Sequence, residues 1–227
     1  HEHNKSANRG YCYQTCRRSY IVTDKESGYE LEIDNKYIMS PKDLCTIGFI
    51  DKLLDSGVRV LKIEGRARSP EYVKTVSACY SEAVSAVTQG DYTNERIEDW
   101  KRRLSTVFNR GFWDGYYLGQ RIGEWNNRYG SAATKRKVYL GRITNYFSKL
   151  KVAEIKLENG DLEHGDNILI IGPTTGVVEY KVGEIRVNLI EAEKALKGEF
   201  CSIKTDKHVR RSDKVYKWIN ESHIKQQ

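Results

Sequence analysis

The alternation of apolar and polar residues changes character along this chain. From about residue 37 to 110, short apolar runs alternate with stretches in which apolar residues recur every three to four positions. Buried strands produce the first pattern, and helices produce the second. From residue 137 onward the chain consists of short β-rich runs separated by turn residues, which is typical of an antiparallel sheet. We therefore expect two structural units of different secondary structure.

The first part predicts strands and helices in alternation. The helix starts carry a capping serine followed by proline, and a glycine follows two of the helices. In chain order the predicted elements are a strand at 37–39, a helix from Ser40 to Gly57, a strand at 58–65, a helix from Ser69 to Gly90 and a helix at 95–108. This order implies parallel pairing, and two strand–helix units are too few to close an eight-stranded barrel. We expect the later part of a (β/α) TIM-type barrel.

The second part predicts a small six-stranded β-barrel. Its six runs are VYLGRITNYF, VAEIKL, NILIIG, VVEYKVGEIRV, FCSIKT and KVYKWI. Asn159-Gly160 predicts a hairpin turn, and Gly165-Asp166 and Ser212-Asp213 each precede a strand. With the step GDNILIIG, this segment resembles the second-domain barrel of the translation elongation factors. The fold class is thus α/β plus β.

These patterns divide the chain into an α/β domain at 1–120, a linker at 121–136 and a β-barrel domain at 137–227. Aromatic, basic and glycine residues are interleaved at 109–134 without a period. They could stack on nucleic-acid bases or pack the connector onto a neighbouring domain.

The charge favours an acidic partner, because 38 Lys and Arg outnumber 31 Asp and Glu for a net charge of +7. Nucleic acid is the commonest such partner, although basic clusters can also be plain solvated surface. The candidate RNA-binding residues are Arg17, Arg18, Arg110, Lys135, Arg136, Lys137, Arg210 and Arg211. No apolar run suits a membrane span or a signal peptide, which predicts a cytoplasmic protein without a membrane partner.

Five cysteines without a secretory signal indicate a reducing compartment. Cys79 and Cys201 fall in apolar patterns and are predicted to be core residues. Cys12 and Cys16 could share one face of a helical turn, and Cys45 is predicted just inside a helix start, where the dipole favours a thiolate. These three are candidate metal ligands or, alternatively, buried free thiols.

The segment KIEGRARSP at 62–70 follows a predicted strand. At the C-terminal end of a barrel strand, Glu64, Arg66 and Arg68 would face a ligand, and the arginines could bind a carboxylate or phosphate. The alternative is a structural Glu–Arg pair that stabilises the loop. No serine elbow or zinc-protease helix occurs in the sequence. Proteolysis could still be metal-assisted or thiol-dependent, with a Cys–His dyad formed through space and Cys12 or Cys16 as the nucleophile.

Four motifs together carry a resemblance to a known family: NRGYCYQTCRRSY, MSPKDLCTI, LKIEGRARSPEYV and FNRGFWDGYYLG. In this order they resemble the collagenase-like peptidase family, peptidase family U32, over about residues 4–120. The family's usual upstream segment is absent, so the chain is expected to be the C-terminal portion of such a protein. Met39, the single methionine, and the first residue, His1, agree with a processed chain or an excerpt.

The resemblance implies a function beyond the family's name. Several members hydroxylate a wobble uridine of tRNA or act on ribosomal RNA, and those members hold an iron–sulfur cluster on cysteines. The matching positions here are Cys12 and Cys45, with Cys16 a ligand in some relatives. Because such clusters usually need four thiolates, the remaining ligands are expected from the upstream part.

The sequence therefore predicts the C-terminal part of an RNA-modifying protein, with tRNA the expected partner and Arg9, Glu64, Arg66 and Arg68 as substrate-binding residues. One alternative is a collagenase-like protease. The other is a non-catalytic RNA-binding module.

Overall fold

The structure is a computed structural model that describes residues 13, 15, 18, 20–31, 41–66, 68–119 and 130–220. These residues form two compact units. The helical unit comprises the described residues within 1–61 and 80–133, and the β unit comprises those within 62–79 and 134–220.

The first seven elements are three short strands, three helices and a fourth short strand. They are β1 Val22–Thr23, β2 Glu30–Leu31, β3 Asp43–Leu44, α1 Ile50–Asp55, α2 Pro70–Gln89, α3 Asn94–Ser105 and β4 Phe112–Trp113. β1 and β2 are antiparallel, whereas β3 and β4 are parallel. The first half of α2 belongs to the β unit and its second half to the helical unit.

Helices α2 and α3 confirm two predictions. Pro70 is the first residue of α2, where its missing N–H costs nothing, and Gly90 follows the helix with φ of 71°. Thr93 caps α3 by accepting a hydrogen bond from the Arg96 backbone N–H. The buried face of α3 carries Ile97, Trp100 and Leu104, at helical spacing.

The helix predicted from Ser40 to Gly57 is wrong in its first half. Asp43 and Leu44 form β3, and only α1 is helical in the described part of this stretch. The backbone N–H groups of Asp43 and Cys45 donate to the carbonyls of Gly111 and Trp113, each at 2.9 Å. These residues extend the parallel pairing with β4, which a helix start cannot do.

The strand predicted at 58–65 is also wrong, because these residues belong to no strand. Val60 is 83% exposed, so the apolar run does not mark a buried strand. The strand predicted at 37–39 lies outside the described residues. The partial TIM-type barrel is consequently not confirmed.

The β unit is built on antiparallel strands. They are β5 Lys135–Phe147, β6 Val152–Leu157, β7 Leu162–Glu163, β8 Asn167–Gly172, β9 Gly176–Lys181, β10 Ile185–Val187, β11 Ile190–Ala192, β12 Lys194–Ala195, β13 Phe200–Lys204 and β14 Lys214–Asn220. Eight of them form one sheet in the order β11-β10-β13-β6-β5-β14-β8-β9, and β12 pairs with β7. The prediction of six strands was too low, because β7, β11 and β12 are too short to show an apolar run and VVEYKVGEIRV contains both β9 and β10.

Turn chemistry explains some of these boundaries. Gly165-Asp166 and Ser212-Asp213 precede β8 and β14 as predicted. At Asn159-Gly160 there is a turn, with φ of 78° at the glycine, but β6 pairs with β5 and β13 and not with β7. The hairpin predicted there is therefore wrong.

Alternate residues of the large sheet point into one apolar core. Its buried members are Leu140, Ile143, Ala153, Ile155, Leu157, Leu162, Ile168, Ile170, Val178, Val182, Ile185, Ala195, Cys201, Ile203, Val209 and Val215. Burial raises the pKa of the Cys201 thiol to about 12. Asp213, although buried, accepts hydrogen bonds from the Arg210 N–H at 2.8 Å and the Thr175 hydroxyl at 2.6 Å. A Cβ at Gly172 would overlap the Asp213 carboxylate, so this position requires glycine.

Two ion pairs join the first half of α2 to the sheet. The Lys137 ammonium on β5 lies 2.8 Å from the Glu71 carboxylate, whose side chain is 11% exposed. Lys74 pairs with Glu179 on β9 at the same distance, but these side chains are 45% and 55% exposed. Water screens a largely buried ion pair less than an exposed one, so the Glu71 pair is the stronger of the two ties.

We expect Glu71→Gln to lower the free energy of unfolding by roughly 1–3 kcal/mol, because it leaves the Lys137 ammonium without its partner in a largely buried position. Glu179→Gln is the matched control and should cost less than about 1 kcal/mol, since water already screens that pair. Urea unfolding followed by circular dichroism measures both. Equal losses for the two variants would contradict the distinction.

Candidate functional site

Cys45 is the predicted metal ligand that the structure describes. It follows β3 directly, and its backbone N–H donates to the Trp113 carbonyl on β4 at 2.9 Å. The parallel pairing of β3 with β4 thus fixes the position of the Cys45 backbone at the end of β3. Cys12 and Cys16 lie outside the described residues, so their approach to Cys45 stays a prediction.

Two tyrosine hydroxyls hold the loop that carries this thiol. Tyr80 on α2 accepts a hydrogen bond from the Thr46 N–H at 2.9 Å, and its hydroxyl lies 4.0 Å from the Cys45 sulfur. Tyr92 donates to the Ile47 carbonyl at 2.6 Å. Three consecutive loop residues are therefore fixed in place. The sequence signal for Tyr80 was its place in the helical pattern, which indicated packing and gave no hint of a polar role, and Tyr92 lies between the predicted helices, where no pattern marked it.

The electrostatics of this site keep both groups neutral. Burial raises the pKa of the Cys45 thiol above its ordinary value. Burial also raises the pKa of Tyr80 to about 12, so the phenol keeps its proton and can donate to sulfur. The prediction that a helix start would favour a Cys45 thiolate is wrong, because Cys45 precedes α1 and burial dominates.

The chemistry available to Cys45 is limited by this environment. A neutral thiol is a weak nucleophile, and the described residues of the helical unit include no histidine that could act as its base. Within the described ranges, no cluster of three His, Cys, Asp or Glu side chains could hold a metal ion. Cys45 offers one sulfur, which suits iron when deprotonated, and the other predicted sulfur ligands are undescribed.

The segment predicted to bind substrate forms a local turn in the β unit. The Glu64 carboxylate accepts a hydrogen bond from the Arg66 backbone N–H at 2.7 Å, and the Arg68 N–H donates to the Gly65 carbonyl. The Arg68 guanidinium lies 4.9 Å from the centre of the Tyr72 ring. These contacts give the segment a structural role, and its substrate-binding role stays a prediction. Arg9 lies outside the described residues.

The predicted RNA-binding residues fall into different environments. Arg110 lies 3.5 Å from the Asp43 carboxylate and is 14% exposed, and Lys137 pairs with Glu71. Arg18, Arg136, Arg210 and Arg211 are exposed, and Arg210 donates to the Thr175 hydroxyl at 3.3 Å. Arg17 lies outside the described residues.

The two basic clusters of the β unit lie at opposite ends of β14. Lys135 pairs with Asn220 at the end of this strand, whereas Arg210 and Arg211 precede its first residue, Lys214. Six residue steps at about 3.3 Å each separate these ends by about 20 Å. A single phosphate cannot contact both clusters, and an RNA backbone would have to run along β14 to do so.

Aromatic side chains accompany the first basic cluster, which sequence reasoning missed. On neighbouring strands Lys137 is opposite Trp218, and Tyr139 is opposite Tyr216. The Lys135 ammonium lies 6.0 Å from the Trp218 ring centre. The period-two spacing of Lys135, Lys137 and Tyr139 was the signal that could have revealed this Lys–aromatic face. It carries both charge and ring surface, which are the two elements of single-strand binding.

Comparisons with known proteins bear on both units. Residues 1–127 match the profile described as "Peptidase family U32". A Porphyromonas gingivalis protein named "Collagenase" is 61% identical over 218 residues, which are 96% of this chain and 53% of that protein. A Bacillus subtilis protein named "tRNA hydroxylation protein P1" is 30% identical over 174 residues, which are 74% of this chain and 41% of that protein. The chain thus spans about half the length of these relatives.

Solved structures are also similar to part of the chain. The C-terminal domain of a Geobacillus thermoleovorans putative U32 peptidase aligns with 35% of this chain and 90% of its own length, at 16% identity and a TM-score of 0.33. No described helix is both long and apolar enough to cross a membrane.

The first site prediction concerns the reactivity of Cys45. At pH 8 we expect iodoacetamide to alkylate Cys45 at least ~10-fold more slowly than free glutathione, because its raised pKa and partial burial keep the reactive thiolate scarce. Tyr80→Phe removes a hydrogen bond that lowers the Cys45 pKa, but it also frees the Thr46 N–H from its acceptor, and we expect the wider access to the thiol to speed the reaction several-fold. A time course with peptide mapping by mass spectrometry reports Cys45 separately from other thiols.

Tyr139→Phe is the matched control, since it removes another hydroxyl whose pKa is raised to about 12, by its hydrogen bond to Glu158 in the β unit. It should leave the Cys45 rate unchanged. If Cys45 is alkylated no faster in Tyr80→Phe than in this control, the Tyr80 hydroxyl does not hold the loop that carries Cys45.

Proposed function

The chain belongs to peptidase family U32, and we propose that the whole protein is a collagenase-type peptidase. The observation that carries this proposal is the 61% identity to the Porphyromonas gingivalis collagenase, which extends over 96% of the chain and so includes both units. The relative named for tRNA hydroxylation shares half that identity, over a smaller part of the chain.

The site geometry limits how such a peptidase would work. A thiol nucleophile must ionise and needs a base within hydrogen-bond reach. Burial raises the pKa of the Cys45 thiol, so Cys45 fits a structural or ligand role better than nucleophilic attack. If the mechanism uses a thiol, Cys12 or Cys16 would supply it, with a histidine as the base.

We expect the full-length protein to cleave gelatin, with Cys12→Ser lowering the rate by ~100-fold or more and Cys45→Ser by less than ~10-fold. Zymography and release of labelled gelatin fragments measure this. Cys12→Ser and Cys45→Ser are a matched pair because both replace sulfur by oxygen, so a difference between their rates reflects the position and not the kind of substitution. A well-folded full-length protein that leaves gelatin intact would exclude the peptidase proposal.

RNA modification is a second candidate, favoured by the 30% identity to the tRNA hydroxylation protein and by the Lys–aromatic face of β5 and β14. An iron–sulfur cluster held by Cys45 together with Cys12 and Cys16 would supply redox chemistry when bound. Cys45 provides a suitable donor atom, and the full donor set is a proposal. Parallel losses of bound iron in Cys12→Ser and Cys45→Ser, measured on anaerobically purified full-length protein, would support it.

The RNA candidate predicts a salt-dependent affinity that separates paired from unpaired cations. Arg136→Gln should weaken tRNA binding and reduce the slope of log affinity against log salt by about 0.7–0.9, the value for one lost phosphate contact. Lys137→Gln should change the slope less, because Glu71 already neutralises that ammonium. Titration of labelled tRNA at several salt concentrations measures the slopes.

The control for that titration is Lys197→Gln, which removes an exposed charge outside both basic clusters and should leave the slope unchanged. Two outcomes would show that these clusters are ordinary solvated surface. One is a tRNA affinity of the unmodified protein that does not depend on salt, and the other is the same slope of log affinity against log salt for all three variants.

A further inference from the structure

The β unit carries an apolar groove between two of its turns. Phe147, Leu150 and Val152 line it from the connection between β5 and β6, and Leu189 lines it from the connection between β10 and β11. The groove has a volume of about 400 Å³. Leu150 is 68% exposed and Leu189 is 85% exposed. Large apolar side chains gathered around one groove mark an interaction site, whereas single exposed ones do not.

The turn that presents Leu189 is held in an unfavourable conformation. Val187 and Ile190 are paired across β10 and β11, so Asn188 and Leu189 form a two-residue turn. Their φ values are 52° and 68°, the left-handed values of a type I′ turn, for which Asn-Gly is the preferred sequence. Asparagine suits its position, but leucine is strained in this region. Folding alone would favour glycine at 189, and glycine would also remove the exposed apolar side chain.

Two of the three charged residues that line the groove are positive. Arg186 and Lys204 line it together with a single carboxylate, that of Glu184. Glu184 pairs with the Arg186 guanidinium and lies 3.8 Å from the Lys204 ammonium, so two cations share one anion. Lys149 and Lys151, on either side of Leu150, are exposed as well. The lining of the groove therefore combines aliphatic walls with one net positive charge.

We propose that this groove binds an extended segment of a partner protein in which acidic side chains alternate with large apolar ones. Successive side chains of an extended peptide point in opposite directions, so apolar residues can enter between Leu189 and Leu150 while carboxylates reach Arg186 and Lys204. Bases stack on aromatic rings, and Phe147 is the sole ring among the lining residues, which disfavours nucleic acid here. A second copy of this chain, with its net charge of +7, would bring like charge to a basic groove.

The proposal is independent of whether the protein is a peptidase or modifies RNA, because it uses no residue of the Cys45 site. Its test uses the 227-residue chain and a fluorescein-labelled heptapeptide of alternating glutamate and leucine, beginning and ending with glutamate. Two matched probes replace every glutamate by lysine or every leucine by serine. We expect the first probe to bind at least ~10-fold more tightly than either of the others in fluorescence anisotropy.

Leu189→Gly separates binding from folding. Relief of the left-handed strain should leave the melting temperature unchanged or raise it by about 2 °C, while the affinity for the glutamate–leucine probe falls at least ~10-fold. Ser212→Gly is the control, because Ser212 also has a positive φ, of 72°, but does not line the groove. The Ser212→Gly variant should likewise keep or slightly raise its melting temperature, and it should keep full affinity for the glutamate–leucine probe.

Four results would overturn the proposal. The first is equal binding of all three probes, or undetectable binding of the glutamate–leucine probe at millimolar protein. The second is an unchanged affinity in Leu189→Gly. The third is self-association in sedimentation that Leu189→Gly abolishes, which would assign the groove to a second copy of the chain. Displacement of the probe by tRNA, with tRNA binding itself weakened by Leu189→Gly, would assign the groove to RNA and likewise exclude a peptide.

Discussion

The two-residue alternation of side chains in the large sheet is the constraint on which the β unit depends. Because one face of β5, β6, β8 and β13 fills a single apolar core, polar side chains of the sheet gather on the other face or in the turns. The same alternation that buries Leu140 brings Lys135, Lys137 and Tyr139 together on the opposite face. The Lys–aromatic face and the groove at the turns are thus consequences of how the core is covered.

Local signals predicted local structure well and long-range pairing poorly. Helices α2 and α3 carry their own caps and glycine stop, so the sequence alone located them. The helix predicted at Ser40 was wrong because Asp43 and Leu44 pair with residues 112–113, far along the chain, and no local propensity reports such a partner. The apolar run at 58–65 shows the converse error. It has the composition of a strand, but strands exist only where a neighbour supplies the hydrogen bonds.

The candidate site illustrates the same limit at the level of chemistry. The sequence identified Cys45 as a residue of interest but gave the wrong ionisation tendency, because the predicted helix dipole is absent and burial controls the thiol. The hydroxyl of Tyr80, 35 positions away, approaches the sulfur through tertiary packing. Membership of peptidase family U32, by contrast, follows from short motifs that the sequence contains outright.

Net charge proves a weaker guide to partners in this protein than the arrangement of its charges. In the β unit Lys137 is paired with Glu71, Lys217 with Asp166, and Lys194 with two carboxylates. These ammonium groups stabilise the fold. Because their carboxylate partners neutralise them, they attract an anionic ligand only weakly. A better guide to a binding surface of the β unit is Leu189, a leucine in the left-handed conformation beside an exposed apolar groove. Backbone strain is commonly kept where a function uses it, and the proposed partner-binding groove would use the strained Leu189.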